Sequence, residues 1–552
     1  MGTGRGSLTS RVTDLLNEVA DDEHGRVTPS GYETARLVLL APWLAGHGAR
    51  VDFLLRCQRR DGGWGGPDAY GLVPTLAAVC ALLTEVGRVT GRGEHRRLAR
   101  AAVRGVDAVH RWLQAAGRLR LPDTVGAPLI VPALLAEARD LVRTARQDPF
   151  LADLPAGVDQ LPPPVGADPD LLSRVRGQLA DRALPQRWWA CLDVLGPAAV
   201  ANPSVQPRQG AVACSPAATA AWLGGGSGDP HARAYLDRVQ ARGGGPVPAV
   251  TPVSHLEAAW VLNLLAVGGV RPPVPARLLQ RLEEALGPTG AAPAPGLPVD
   301  CGHTAAVLSA LMRYGRLHSP ERLLEFRSAD GFTDEPGSGE ASVSGNAHAL
   351  ESFALYLTHR PAGGSRFAAA ARLAAGWLRD HQHPDGYWRD PGHASPYHAV
   401  ALAVRALLLH DAAGHRPAID RALAWLRSTQ RTDGSWGRWE GTVEETAYAV
   451  QTLAKASRHQ GAARAVARGC RFLAAAPPDR ATVPLWHGKD LFAPLAVVEA
   501  ARLAALHLGG RSVHVPVQRQ AGPADPGQSP PPGRGLAGGT GGMPPVPGRD
   551  PA

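Results

Sequence analysis

Asp300 and His303 stand three residues apart, just ahead of the apolar run Val307 to Tyr314. If a helix already includes Asp300, these two side chains lie about 60° apart around it, whereas Asp300 and Gly302 lie about 160° apart. A carboxylate facing an imidazole is a proton-handling pair. The plainer reading is that Asp300 caps the helix and His303 fills space. Trp260, in His255-Leu256-Glu257-Ala258-Ala259-Trp260, offers a π face to a cation or packs as a core indole. Tyr397, His398, Trp439 and Tyr448 follow turns, where helices begin, and His348 sits in an apolar stretch that suits a hydrogen-bonded core histidine. Lys489 and Asp490 form a charged pair in an aromatic setting, and Asp123 lies in the turn-like Pro122-Asp123-Thr124.

The elements that must position these groups announce themselves by repetition. Gln58-Arg59-Arg60-Asp61-Gly62-Gly63-Trp64 recurs as Gln382-His383-Pro384-Asp385-Gly386-Tyr387-Trp388 and as Gln430-Arg431-Thr432-Asp433-Gly434-Ser435-Trp436. Each copy closes a helix with an upstream aromatic (Phe53, Trp377, Trp425) and opens another. Asp-Gly supplies a tight turn, the Gln amide is expected to bond the backbone at the start of the next helix, and the indole covers the join. The motif is therefore a structural clamp in a helix–turn–helix unit.

Composition agrees with an all-α fold. The 552 residues are long enough for two or more domains, and apolar helical segments broken by Gly and Pro leave no sustained alternating strand pattern. The formal net charge of +9 is scattered singly over helical faces, with no dense basic run, so a nucleic-acid partner is not expected. Six cysteines show neither paired nor metal-like spacing, which points to a cytoplasmic chain without disulfides. No stretch reads as the roughly 20 apolar residues of a membrane-spanning helix. From Leu508 onward Pro and Gly dominate, and residues 511–552 are predicted to form a disordered tail.

The repeats resemble the Gln-Trp motifs of squalene-hopene cyclases and related class II terpene cyclases. Further landmarks are similar to bacterial class II diterpene cyclases, those making copalyl-type or halimadienyl-type diphosphates. They include Gly31-Tyr32-Glu33-Thr34-Ala35-Arg36, Leu121-Pro122-Asp123-Thr124, Cys214-Ser215-Pro216-Ala217, Val343-Ser344-Gly345-Asn346-Ala347-His348, Glu444-Glu445-Thr446-Ala447-Tyr448 and Pro484-Leu485-Trp486-His487-Gly488-Lys489. This resemblance implies two α/α-barrels: residues 26–270 as a γ-type barrel inserted after an N-terminal helix (1–25) of a β-type barrel that resumes over 271–510. The substrate would lie between them.

Such cyclases keep the diphosphate and protonate the far alkene of an isoprenoid from the middle Asp of an Asp-x-Asp-Asp-Thr-Ala motif. The matching stretch here is Asp300-Cys301-Gly302-His303-Thr304-Ala305: Gly302 stands at the donor position and His303 at the last Asp. Glycine has no proton to give, and imidazolium, with a reference pKa of about 6.5, is too weak for an unactivated alkene. It could orient Asp300 or help to open an easier electrophile such as an epoxide. The resemblance further implies Trp260, His348, Tyr397, Trp439 and Tyr448 as substrate-lining residues and Lys489 as a diphosphate contact. A glutamate expected near Pro128 to help hold Mg²⁺ is absent, leaving Asp123 as the nearest carboxylate. No Asp-rich ionising motif with its metal-binding partner segment is present, so the diphosphate would pass to a separate class I terpene synthase.

The leading expectation is therefore a cyclase acting on an isoprenoid diphosphate, geranylgeranyl diphosphate in particular, through an altered acid site. The alternative is a degenerate cyclase that binds a prenyl diphosphate or assists a partner synthase. A protein-binding helical array is the third reading.

Overall fold

Helices form wherever the sequence carries apolar residues at helical spacing between Gly, Pro and Ser/Asp punctuation. The computed structural model describes residues 7–513 apart from 115–118, 156–161, 227, 337, 362–363, 457–459 and 478–481. In chain order its helices are α1 (Leu8–Asp21), α2 (Gly31–Leu40), α3 (His47–Cys57), α4 (Leu72–Val86), α5 (Arg92–Gln114), α6 (Ala127–Ala145), α7 (Pro169–Ala180), α8 (Pro216–Leu223), α9 (Pro230–Arg242) and α10 (Ser254–Val267). They continue as α11 (Ala276–Ala285), α12 (Cys301–Arg313), α13 (Val343–His359), α14 (Ser365–Asp380), α15 (Pro396–Asp411), α16 (Arg416–Ser428), α17 (Val443–Ala456), α18 (Gln460–Ala475) and α19 (Leu495–Val513).

Neighbour relations close into two rings. In the first, α2, α4, α6, the 3₁₀ segment Gln186–Val194 and α8 each touch the next, and α8 returns to α2, with α3, α5, α7 and α9 outside. In the second, α10, α12, α13, α15, α17 and α19 close on themselves, with α1, α11, α14, α16 and α18 outside. Inner helices such as α4 are apolar and buried all round, whereas the outer α11 buries only Leu278 and Leu282 along one stripe. These are two α/α-barrels.

Two boundaries differ from the sequence reading. Helix α10, assigned to the first barrel by a limit at residue 270, contributes Leu256, Trp260 and Leu264 to the second barrel's core and is one wall of that ring. Its apolar surface is continuous, so nothing along the chain marks which neighbour it serves. At the far end, α19 runs to Val513, so residues 511–513 are helical; 514–552 lie outside the described residues.

The three repeats fold identically and reach further than expected. Gln58, Gln382 and Gln430 each donate to the carbonyl of their own turn glycine (Gly62, Gly386, Gly434) and to Ala101, Ala418 and Ala465, all at 2.9 Å. Those alanines lie on α5, α16 and α18, not on the helix that follows each turn directly. The clamp thus skips the next inner helix and ties neighbouring outer helices together. The Trp64, Trp388 and Trp436 indoles are buried and donate to Leu54, Leu378 and Leu426 at 2.7 Å.

Two short hairpins complete the second barrel: β1 (Thr333–Glu335) with β2 (Ser338–Ala341), and β3 (Trp486–His487) with β4 (Leu491–Phe492). Strands of two to four residues are too short to show alternation. The run Asp68–Val86 is, contrary to the sequence reading, long and apolar enough to cross a membrane, but 89% of its apolar window is buried inside the first barrel. All six cysteines are free.

Candidate functional site

The acid-motif segment is built by a helix cap. Asp300 has extended backbone (φ −138°, ψ 165°), so α12 begins at Cys301 and not before. That reverses the angular separation drawn from a helix containing Asp300: Asp300, Gly302 and His303 all face one cavity. Asp300 Oδ1 accepts the His303 backbone N–H at 2.8 Å, and its two oxygens stand 2.9 and 2.7 Å from His303 Nδ1. Both readings of Asp300, cap and imidazole partner, hold together. The opposite ring atom, His303 Nε2, is buried without a protein partner. A Cβ built at Gly302 meets nothing closer than Asp300 Oδ1 at 3.5 Å, so the space beside the carboxylate is open.

This cavity, of about 380 Å³, runs between the barrels. Its first-barrel wall includes Val125, Ala190, Ala213 and Ser215; its second-barrel wall includes Leu256, Trp260, Asp334, Asp390, Trp486 and Phe492. A neighbouring cavity of about 430 Å³ lies within the second barrel and shares Trp260, His348 and His398 with the first. The dividing wall is aromatic: the Trp260 ring lies 5.0 Å from His303, 5.1 Å from His348 and 5.9 Å from Trp486. Burial depresses His348 to about 3, and neither of its ring nitrogens has a protein partner. Burial also holds His398 well below the usual range, so both imidazoles are neutral at neutral pH.

The predicted site residues divide into three groups. Asp300, His303, Trp260, His348 and Lys489 share the interbarrel cavity, and Tyr448 lines the adjoining one, its hydroxyl donating to Glu444 at 3.1 Å. Tyr397 lines neither: it is buried against Trp425, with ring centroids 4.7 Å apart, because its position one residue after the Pro396 that opens α15 points it at the outer layer. Trp439 also lines neither. It bridges the barrels, donating Nε1 to Asp68 at 2.8 Å and packing 5.8 Å from Tyr70. Asp123 accepts from the Tyr70 hydroxyl at 2.7 Å at the same seam and lies outside both cavities.

Lys489 is not part of a pair with Asp490. Its ammonium reaches across into the first barrel, 2.7 Å from Glu33 and 3.2 Å from Asp193, and donates to Ser215 Oγ and Ala190 O at 2.8 Å. Burial pulls its pKa down, but the Asp193 and Glu33 carboxylates outweigh that and hold it raised. Asp490 accepts instead from Ser30 Oγ at 2.8 Å and from the Tyr32 N–H at 3.1 Å. Asp193 also takes the Tyr32 hydroxyl at 2.6 Å and Arg36 Nε at 3.2 Å, so a buried polar network spans the seam.

Sequence reasoning missed Asp334 and Asp390, both in the cavity wall. A signal existed. Asp385-Gly386 precedes α15 and is followed by Asp390; Asp330-Gly331 precedes α13 in the same way and is followed by Asp334. Without the Gln and Trp of the full repeat, the second turn reads as an ordinary loop.

For a metal the donor set is poor. Among the described residues no group of three His, Cys, Asp or Glu side chains is placed to hold a metal ion, and one Asp123 oxygen is engaged by Tyr70. A Mg²⁺ serving here would need diphosphate oxygens and water for most of its shell; the protein residues alone do not fit one.

Residues 346–480 match the family description of the squalene-hopene cyclase C-terminal domain. The chain is 42% identical over 514 residues to the ent-copalyl diphosphate synthase of Streptomyces sp. (strain KO-3988), covering 91% of this chain and 96% of that protein. It is 37% identical over 542 residues to the labda-7,13-dienyl diphosphate synthase of Streptomyces clavuligerus, covering 94% and 97%. Among solved structures, ent-copalyl diphosphate synthase from Streptomyces platensis aligns with a TM-score of 0.85 and 42% identity over 92% of this chain and 100% of that one.

Proposed function

From the premise that the chain belongs to the class II diterpene cyclases, we propose that it cyclises geranylgeranyl diphosphate to a diterpenoid that keeps its diphosphate, using an altered acid site. The observation that carries this reading is the interbarrel cavity, which has carboxyls at Asp300, Asp334 and Asp390 and an aromatic wall at Trp260 and Trp486. An alkene is protonated only by an acid held in an apolar, water-poor setting, and the resulting cations are steadied by π faces.

In this reading the diphosphate lies toward His487, Gly488 and Lys489, and the hydrocarbon tail runs toward Trp260 and the carboxyls. The Lys489 donors are already occupied and its charge is paired with Glu33 and Asp193, so its contribution is to hold that end of the wall in place and not to make a new hydrogen bond. The terminal cation, being a very strong acid, needs only a weak base, and the neutral imidazoles of His348 and His398 stand beside it. The cyclised diphosphate is then a substrate for an ionising class I synthase.

A second reading rests on Gly302 and Pro128, which replace the expected donor and a metal-binding glutamate: the chain binds a prenyl diphosphate without cyclising it. Incubation of the purified protein with geranylgeranyl diphosphate and Mg²⁺, followed by dephosphorylation and mass analysis, separates the two. A cyclic alcohol is the expected product. Unchanged geranylgeraniol together with tight binding of the diphosphate would favour the second reading.

A further inference from the structure

We propose that Asp334, carried into the cavity by the β1–β2 hairpin, is this chain's proton donor and takes the place of the side chain that Gly302 lacks. The inference rests on the cyclase reading above and names the acid that reading needs.

Four carboxyls line the cavity, Asp300, Asp334, Glu335 and Asp390, beside the imidazoles of His303, His348, His398 and His487; Glu335 is tested directly by its own variant. Asp300 has one oxygen accepting a backbone N–H and both within hydrogen-bond distance of His303 Nδ1, so both of its oxygens already have partners. Burial raises Asp390 as well, but both of its oxygens accept backbone N–H bonds: Oδ2 from Ser344 at 2.5 Å and Oδ1 from Gly392 at 2.8 Å. His348 and His398 are held neutral by burial and have no imidazolium proton to give, and His303 Nδ1 is engaged with Asp300. Asp334 differs from all of these. Its side-chain partner is a hydroxyl, Ser342 Oγ, which donates to Oδ1 alone at 3.0 Å. The Ser342 oxygen in turn accepts the Gly345 N–H at 3.0 Å as the cap of α13 and stands 3.3 Å from Ser344 Oγ, leaving Asp334 Oδ1 as the nearer acceptor for its hydroxyl hydrogen.

The surroundings fit a carboxyl that keeps its proton. Asp334 keeps accessible surface where it lines the cavity shared with Asp300, Gly302 and His303, while protein packs around the rest of it. Desolvation by that protein, reinforced by the negative charges of Asp300 and Asp390, outweighs the Ser342 hydrogen bond and the His303 charge and raises it to about 6. A side chain at position 345 would crowd it, since a Cβ there lies 3.2 Å from Asp334 Oδ1. Glycine at 345 keeps that room open.

In the step itself, the carboxyl O–H bond breaks and its proton forms a C–H bond at the terminal alkene carbon. The remaining π bonds close rings by forming C–C bonds. A neutral imidazole, His348 or His398, takes a proton from the last cation, which leaves an isomer of the substrate with its diphosphate intact; that proton passes to solvent, and solvent returns one to the Asp334 carboxylate.

The test compares wild type, Asp334→Asn, Glu335→Gln, Gly302→Asp and the double variant Gly302→Asp/Asp334→Asn, with geranylgeranyl diphosphate as both substrate and binding probe. Asp334→Asn should lose at least 100-fold in cyclised product while its dissociation constant for the diphosphate stays within twofold. The double variant should recover product, because its new carboxyl projects into the same space. Turnover by Asp334→Asn within threefold of wild type overturns the inference, as does joint loss of binding and turnover, or loss confined to Glu335→Gln. An inactive wild type beside an active Gly302→Asp overturns this inference and leaves the cavity reading standing; product from neither overturns both.

Discussion

Asp300 is one carboxylate with two local duties, and both follow from where α12 starts. As a cap it needs only an acceptor oxygen, which asparagine also supplies. As a charge it raises the Asp334 carboxyl, which is faced by Asp300 and His303 from α12's start, by Asp390 from the loop before α15 and by Ser342 from the cap of α13. Asp300→Asn should therefore fold normally and lower the Asp334 pKa, since removing a like charge favours the ionised form. A donor must be protonated, so the rate falls as pH rises through its pKa. The descending limb of the cyclisation profile, expected near 6 in wild type, should move to lower pH. A kcat–pH series on the two proteins checks this, and an unmoved limb would count against the coupling.

Among the elements, the Gln-Trp turns were fully legible and the hairpins were not. A seven-residue pattern repeated three times carries its own register, and the hydrogen bonds of Gln58, Gln382 and Gln430 reproduce one another to 0.1 Å or better. What the pattern hid was the partner, because helices that adjoin in an outer layer are not consecutive in sequence. Gly386 shows the cost of disturbing the contact. It has φ +100°, and an added Cβ would lie 2.5 Å from the Arg421 carbonyl oxygen on α16. Gly386→Ala should destabilise the protein by about 2–3 kcal/mol, read as a lower midpoint in denaturant with an unchanged slope. Tyr397 and Trp439 belong to the same lesson: each follows a turn, yet one packs outward and the other across the seam.

For the whole molecule, the seam between the barrels is what gives the cavity its walls, and Lys489 is its central tie. The ammonium is buried among Glu33, Asp193, Ser215 and Ala190, with Tyr32 and Arg36 completing the Asp193 shell. Removing it leaves the buried Glu33 without a cation, while Asp193 keeps Arg36. Lys489→Met should lower stability by about 3–5 kcal/mol, measured by denaturant unfolding without ligand. A variant that kept full stability and only weakened diphosphate binding would mean that Lys489 acts on the ligand and not on the seam.

The sequence by itself determined the helices, the repeats and the absence of an acid at position 302; the two-barrel plan came from the resemblance of its motifs to a family. The first three are local periodicities or residue identities, and such patterns survive in one dimension. Only the tertiary structure decided that α10 belongs to the second barrel, that Lys489 ties the two barrels together, and that Asp334 and Asp390 join Asp300 around one space. Those relations depend on helix-start geometry and on which faces meet when the rings close. The carboxyls come from residues 34 and 90 positions beyond Asp300, and no spacing rule along the chain connects them.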